Sequence, residues 1–131
     1  MSNTSHRYIA VGASFAGLAV IAGAFGAHAL KDTLNSTMLN TYHTAVDYMF
    51  LHAIGIILLG ILKQQTSKPC HTKVFIAFIT GIVLFSGSLF VLSLSGIKWL
   101  GAITPFGGMC FIIGWLLLAL CYLKNRNNEG G

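Results

Sequence analysis

Four long apolar stretches limit what this chain can fold into more than any other feature of its sequence. The first covers 8–30 and contains no charged residue. As a helix it extends for about 34 Å, which exceeds the roughly 30 Å hydrocarbon core of a bilayer. The stretches 74–95 and 99–123 are similarly long and uncharged, whereas the second, 45–62, is shorter and includes Asp47. The sequence therefore predicts an all-α integral membrane protein with four spans.

The composition supports this class and excludes two others. Of the 131 residues, 55% are hydrophobic and only 8% are charged, whereas a soluble domain carries about 25% charged residues. The eight basic residues form no patch with interleaved aromatic residues, so nucleic acid is excluded as a partner. We expect a single membrane domain over 1–131, built as a four-helix bundle.

The basic residues are distributed unevenly around the spans, and this predicts the orientation. Lys31 and Lys98 lie on one side of the membrane. The other side holds both termini and the loop between the second and third spans, with Arg7, Lys63, Lys68, Lys73, Lys124 and Arg126. Because basic residues near span ends favour the cytoplasmic side, both termini are expected in the cytoplasm. The chain is then a multi-pass protein of the inner cell membrane.

The connection 31–45 predicts an external amphipathic helix before the second span. Ser36 is a candidate N-cap, and neither glycine nor proline follows until after Phe50. Apolar residues recur there at helical spacing, namely Leu34, Met38, Tyr42 and Ala45. The helix either bends or continues straight into the second span. It acts either as an anchor at the membrane interface or as a lid over a cavity.

Small residues predict where the helices pack, because they let two backbones approach closely in lipid. The candidates are Gly23, Gly26, Ala27, Gly87, Gly107, Gly108 and Gly114. A glycine-lined substrate path is the alternative. The first of these residues also belong to a stretch that resembles a signal peptide. Its apolar run is longer than the usual 7–15 residues, so we expect no cleavage.

Pro105 lies within the fourth apolar stretch, in the sequence ITPFGG. If it occupies the first turn of the helix, no hydrogen bond is lost, whereas a helix that begins at Trp99 must kink there. Both possibilities remain open.

The three cysteines predict no disulfide framework. Cys70 is assigned to the loop between the second and third spans, and Cys110 and Cys121 lie three turns apart on one helix. None of them has a metal-ligand spacing such as C-x-x-C.

Polar groups in or beside the spans are the candidates for a functional site, since burying them in hydrocarbon is costly. They are His28, His43, Asp47, Tyr48, His52 and Ser86. His43 and Asp47 are four residues apart and share a helix face. His52 faces away from His43, so a metal site that uses both needs a broken helix. We therefore predict no metal and no cofactor, and leave structural hydrogen bonds or a proton or cation pathway as roles.

The sequence predicts no enzymatic activity. No serine or cysteine occurs with a histidine and an acid at a spacing typical of nucleophilic catalysis. A catalytic centre is therefore not expected.

Three motifs occur in order: GAFGAHALK at 23–31, FSGSL at 85–89 and ITPFGG at 103–108. With the flanking apolar sequence, they resemble the small bacterial membrane family called domain of unknown function 423. The resemblance covers nearly the whole chain. It implies a four-span inner-membrane protein of about this size, and it implies no agreed activity, cofactor or substrate.

Two function classes follow from these observations. The first is a structural or accessory bundle that packs in membrane lipid with itself, as a homo-oligomer, or with a membrane-protein partner. The second is a transport or binding protein for a small molecule, lipid or ion, with a polar site near His28, Asp47 and His52.

Overall fold

Four long helices form the bundle in the part of the chain that the structure describes. A computed structural model describes the backbone of residues 3–129 and the side chains of residues 3–124. Its long helices are apolar enough to cross a membrane, and we number them as spans 1 to 4. They cover Asn3–Leu30, Ser36–Gln65, Pro69–Ser95 and Lys98–Lys124. No strand occurs in the described residues, and the predicted all-α four-helix bundle is confirmed.

Three of the spans contain one turn of a different helix type. Span 1 is α-helical over Asn3–Phe25 and π-helical over Gly26–Leu30. Span 3 is α-helical over Pro69–Gly81, π-helical over Ile82–Ser86 and again α-helical over Gly87–Ser95. A 3₁₀ turn, Lys98–Ala102, precedes the α-helix Thr104–Glu129 in span 4. Because a π turn holds more residues than an α turn, it rotates the side chains that follow it.

Span 2 begins earlier than the apolar pattern indicates. The expected external helix is continuous with the span, as a single α-helix over Ser36–Gln65. Asn35 is its N-cap and accepts a 2.8 Å hydrogen bond from the backbone N–H of Met38, so the assignment of Ser36 as N-cap is wrong. Both residue types favour the cap position, and the backbone of Asn35 adopts the extended conformation that a cap requires.

Pro105 lies in the first turn of the long helix of span 4. That helix begins at Thr104, where the N–H group missing from proline has no intrahelical acceptor to lose. The 3₁₀ turn Lys98–Ala102 leads the chain into the start of this helix. Gly96 ends span 3 in the left-handed conformation, with a φ of 74°, which favours glycine.

The buried core is centred on spans 2 and 3, with Tyr8 and Ala19 of span 1 and Phe111 of span 4 packed against it. In spans 2 and 3, 44% and 39% of the most apolar segment is buried, against 17% in spans 1 and 4. Fully buried side chains include Ile56 and Leu59 of span 2 and Phe78 of span 3. Spans 1 and 4 therefore turn most of their surface outward, where a membrane provides the apolar solvent.

Several glycines lie where two helices approach closely. A Cβ atom on Gly26 or Gly114 would lie 2.6 Å from the ring of Tyr42 or Phe78. On Gly107 it would overlap the backbone of span 3 at Phe85. The other candidates for helix packing differ: Gly23 and Gly108 allow ordinary contact, Gly87 meets only its own helix, and Ala27 is exposed. Close contacts also occur at Gly81 and at two glycines that the pattern did not single out, Gly12 and Gly60.

A disulfide joins Cys70 to Cys121, so the expectation of no disulfide is wrong. The Cα atoms are 6.4 Å apart, within the range that a disulfide spans. Cys70 lies in the first turn of span 3, because that helix begins at Pro69. It therefore meets the last turns of span 4, a pairing between helices that spacing along one helix does not reveal. Cys110 is free.

Candidate functional site

His52 lies at the centre of the bundle and has both ring nitrogens in hydrogen bonds. Its side chain is 2% exposed. The indole Nε1–H of Trp115 donates to Nε2 over 2.9 Å, and Nδ1 lies 2.8 Å from the carbonyl oxygen of Tyr48. Because an indole N–H only donates, Nε2 must be the acceptor, and Nδ1 carries the proton that it donates to the carbonyl. The ring is therefore neutral and links span 2 to span 4.

Aromatic rings enclose the imidazole of His52. Phe111 stacks on it with ring centroids 3.5 Å apart, and Phe78 meets it edge-on at 5.2 Å. Tyr48, one turn earlier, is nearly parallel to the imidazole at 6.1 Å. Both ring nitrogens are used in hydrogen bonds, and Phe111 covers a face of the ring. This histidine therefore offers no lone pair to a metal ion.

Ser86 provides a second polar link inside the bundle. It is fully buried, and its hydroxyl donates to the carbonyl oxygen of Ala45 over 2.8 Å, which joins span 3 to span 2. Closer to the loop between spans 3 and 4, the hydroxyls of Ser88 and Thr104 are 2.7 Å apart. These bonds pair polar groups internally, as burial in an apolar medium requires.

Asp47 and two of the histidines lie outside this interior. Asp47 is exposed and lines a groove of about 670 Å³ between spans 1 and 2, with Gly23 and Phe50 among its apolar neighbours. His28 is exposed in the π turn of span 1, and His43 is half-buried beside Gly26. The ring of Tyr48 lies beside that of His52, whereas the side chain of Asp47 lines the outer groove and His28 is exposed. No three His, Cys, Asp or Glu residues form a metal-ligating group in the described part of the chain.

His71 is a buried polar residue that the sequence did not single out. Its Nε2 lies 3.2 Å from the hydroxyl of Tyr122, and its Nδ1 has no hydrogen-bond partner among the described residues. The sequence assigned His71 to the loop between spans 2 and 3, but span 3 begins at Pro69. His71 therefore lies in the helix and is buried in the bundle. The sequence did contain a sign that Trp115 forms a hydrogen bond: its indole N–H lies within an apolar span, where it needs an acceptor.

A basic groove lies between the start of span 3 and the end of span 4. It has a volume of about 540 Å³. Its lining residues are Lys68, Pro69, Cys70, Lys73, Leu117, Leu120, Cys121 and Lys124. The ammonium group of Lys68 lies 4.0 Å from the centre of the Tyr122 ring, a distance at which a cation is attracted to the ring face. Polar and apolar surfaces thus share one groove.

Comparison with known proteins relates the chain to a family of membrane proteins. Residues 22–108 match the family model described as "Protein of unknown function (DUF423)". A UPF0382 membrane protein of Staphylococcus epidermidis is 43% identical over 117 residues, which are 89% of this chain and 95% of the relative. UPF0382 membrane protein YwdK of Bacillus subtilis is also 43% identical, over 119 residues that cover 89% of this chain and 96% of the relative. No solved structure matches the chain.

Proposed function

The chain belongs to the DUF423 family, and we propose that this multi-pass membrane protein has a structural or accessory role, in which its bundle associates with a second copy of itself. The single observation that carries the proposal is the hydrogen bonding of the buried His52 side chain. Both of its ring nitrogens are used in hydrogen bonds to Tyr48 and Trp115. The bond from Trp115 joins span 4 to span 2, whereas the bond to the carbonyl oxygen of Tyr48 lies within span 2.

The hydrogen bonding of His52 favours packing over transport. A residue that carries protons or binds an ion along a path must exchange partners during the cycle. Here an exchange would break two hydrogen bonds and unstack the ring from Phe111. The carboxylate of Asp47 faces a groove at the outside of the bundle, so a path from it to His52 would have to pass between packed helices.

The outer face of span 1 supports association between copies. The span packs mainly on span 2, and a line of mostly small residues remains exposed along it: Ala13, Gly17, Val20, Ala24 and Ala27. A Cβ atom on Gly17 would meet no atom within 4 Å. In lipid, small residues on a helix surface permit the close backbone contact that drives association.

The groove beside this line makes the face suitable for a second copy. Val20 and Ala24 belong both to the exposed line and to the lining of the groove that contains Asp47. A twofold interface uses the same patch on both subunits. A face that offers both a ridge of small residues and an adjoining groove satisfies that requirement.

The test is the oligomeric state of the full chain in liposomes. Donor- and acceptor-labelled copies should show energy transfer that falls on dilution with lipid, as a reversible dimer does. Gly17→Leu fills open space and should leave the fold intact while it lowers dimerisation at least tenfold. Val83→Leu, at an exposed position on span 3, is the matched control and should dimerise normally.

Two results would overturn the structural proposal. One is energy transfer no greater than that of a random mixture at every dilution. The other is a proton or monovalent cation flux above that of empty liposomes that Asp47→Asn abolishes, which would favour the transport class instead.

We also propose that both termini face the cytoplasm. Five basic residues with described side chains lie near the end of the bundle that holds the termini, namely Arg7, Lys63, Lys68, Lys73 and Lys124, and the side chain of Arg126 lies outside the described part. This arrangement favours a cytoplasmic location for that end. A green fluorescent protein fused to the C-terminus should fluoresce, and an alkaline phosphatase fusion there should be inactive. The opposite pair of results would reverse the orientation.

A further inference from the structure

The basic groove between spans 3 and 4 combines a positively charged surface with an apolar one. Three lysines, Lys68, Lys73 and Lys124, line it with the two apolar side chains Leu117 and Leu120. None of its eight lining residues is acidic. Among the residues whose side chains are described, the groove therefore has positive charge without an internal counterion, beside a surface suited to hydrocarbon.

We propose that this groove is a binding site for an anionic phospholipid, with the phosphate between the lysines and an acyl chain along Leu117 and Leu120. Charge complementarity selects this occupant. Lysines at the end of a span attract anionic headgroups, and their aliphatic stems lie along apolar surface while the ammonium groups reach the headgroup level. The proposal does not depend on association between copies.

The start of span 3 strengthens the positive field of the groove. Lys68 is the N-cap of that helix, its side chain makes no capping hydrogen bond, and the first turn contains no acidic residue. A helix N-terminus carries a partial positive charge. A lysine at that position is repelled by the helix end, and a bound phosphate relieves the repulsion from both sources.

The groove is held in shape before any lipid binds. Cys70 and Cys121, whose Cα atoms are 6.4 Å apart, bring its two walls together. Lys68 is fixed on one side by the ring of Tyr122, 4.0 Å from its ammonium group. A preformed site loses less conformational freedom on binding than one that must be assembled.

The experiment compares two lipids on the purified full chain. Micelles containing equal amounts of dioleoylphosphatidylglycerol and dioleoylphosphatidylcholine are mixed with the protein, and native mass spectrometry counts the lipid retained. We expect the anionic lipid to be retained at least tenfold more. The triple variant Lys68→Gln/Lys73→Gln/Lys124→Gln should lose that preference, since each lysine near a headgroup contributes about fivefold.

A second triple variant controls for net charge. Lys31→Gln/Lys63→Gln/Lys98→Gln removes the same charge from residues outside the groove lining and should keep the preference. If the first triple variant does not fold, the single variants Lys73→Gln and Lys124→Gln serve instead, each with an expected loss of about fivefold.

Three outcomes would overturn the proposal. The first is equal retention of the two lipids by the natural chain. The second is an equal loss of preference in both triple variants, which would indicate a general charge effect. The third is displacement of the retained lipid by millimolar inorganic phosphate, because a soluble anion would then be the ligand.

Discussion

The centre of the bundle around His52 and the basic groove between spans 3 and 4 arrange their polar groups in opposite ways. At the centre, each ring nitrogen has a partner from the same chain, and aromatic rings cover the imidazole. In the groove, three lysines line an apolar surface without an acidic residue. Buried polar groups that are hydrogen-bonded to each other join the helices. Lysines that line a surface groove can instead bind groups of opposite charge from the surrounding membrane.

The largest effect is expected where the backbones of spans 3 and 4 approach closely, at Gly107. Gly107→Val places side-chain atoms against the backbone of span 3 at Phe85, and backbone atoms cannot rotate away as the end of a side chain can. Overpacking of this kind should lower the free energy of unfolding by about 3 kcal/mol or more. Unfolding of the monomer by sodium dodecyl sulfate, followed by circular dichroism, measures the loss.

The matched control for this substitution is Gly17→Ala. No atom lies within 4 Å of the added Cβ, so the monomer should gain up to about 1 kcal/mol from helix propensity. A similar loss for both substitutions would mean that the centre is no more closely packed than the surface.

A smaller effect is expected when one hydrogen bond at the centre is removed. Trp115→Phe leaves Nε2 of His52 buried without its donor, and an unpaired buried acceptor costs about 1–3 kcal/mol. The same detergent unfolding measures this cost. When His52→Phe is already present, Trp115→Phe should lower the free energy of unfolding by less than it does in the natural chain, because no unpaired nitrogen remains at position 52. Strictly additive costs would contradict a direct bond.

Removal of the hydroxyl of Ser86 should cost less still. Ser86→Ala deletes one donor to the carbonyl oxygen of Ala45. Hydrogen bonds between membrane helices contribute about 0.6 kcal/mol on average, so a loss of that size is expected in the same assay. Ser14→Ala is the control, because that hydroxyl bonds only to its own helix, at Ala10. A loss above about 2 kcal/mol would place Ser86 among the main contributors to stability.

The smallest effect on stability is expected in the basic groove. Lys73→Gln changes an exposed side chain and should alter the free energy of unfolding by less than about 0.5 kcal/mol in micelles of neutral lipid. The same substitution should change stability more when anionic lipid is present, since a bound ligand stabilises the folded state. If Lys73→Gln changed the free energy of unfolding equally in neutral and in anionic lipid, the lysines of the groove would not be available to the membrane in the way that distinguishes the groove from the centre.

The fold was predictable because hydropathy is a property of single stretches of sequence. Long segments without charge indicate four spans whatever their neighbours are. The start of span 2 was less evident, since its first turns are polar enough to lie outside the hydrocarbon, and hydropathy does not mark them. Asn35, which caps that helix, is one of two neighbouring residues with the same preference.

The centre could be predicted only in part. His52 stood out as a titratable group within a span, but its partner Trp115 is 63 residues away. Which faces two helices turn to each other depends on their relative rotation, and small residues occur on several faces of each span. For the same reason the pairing of Cys70 with Cys121 was not foreseen, although both cysteines were evident.

The Cys70–Cys121 bridge has a consequence for the biogenesis of the protein. The second sulfur emerges from the ribosome 51 residues after the first, and once span 3 has crossed the bilayer the two can meet only if span 4 crosses it in the opposite direction. A chain whose last span fails to insert leaves its thiols apart. Oxidation of membranes with copper phenanthroline, followed by alkylation, therefore distinguishes the two: a chain with its last span inserted keeps one thiol to alkylate, Cys110, and a chain without it keeps all three.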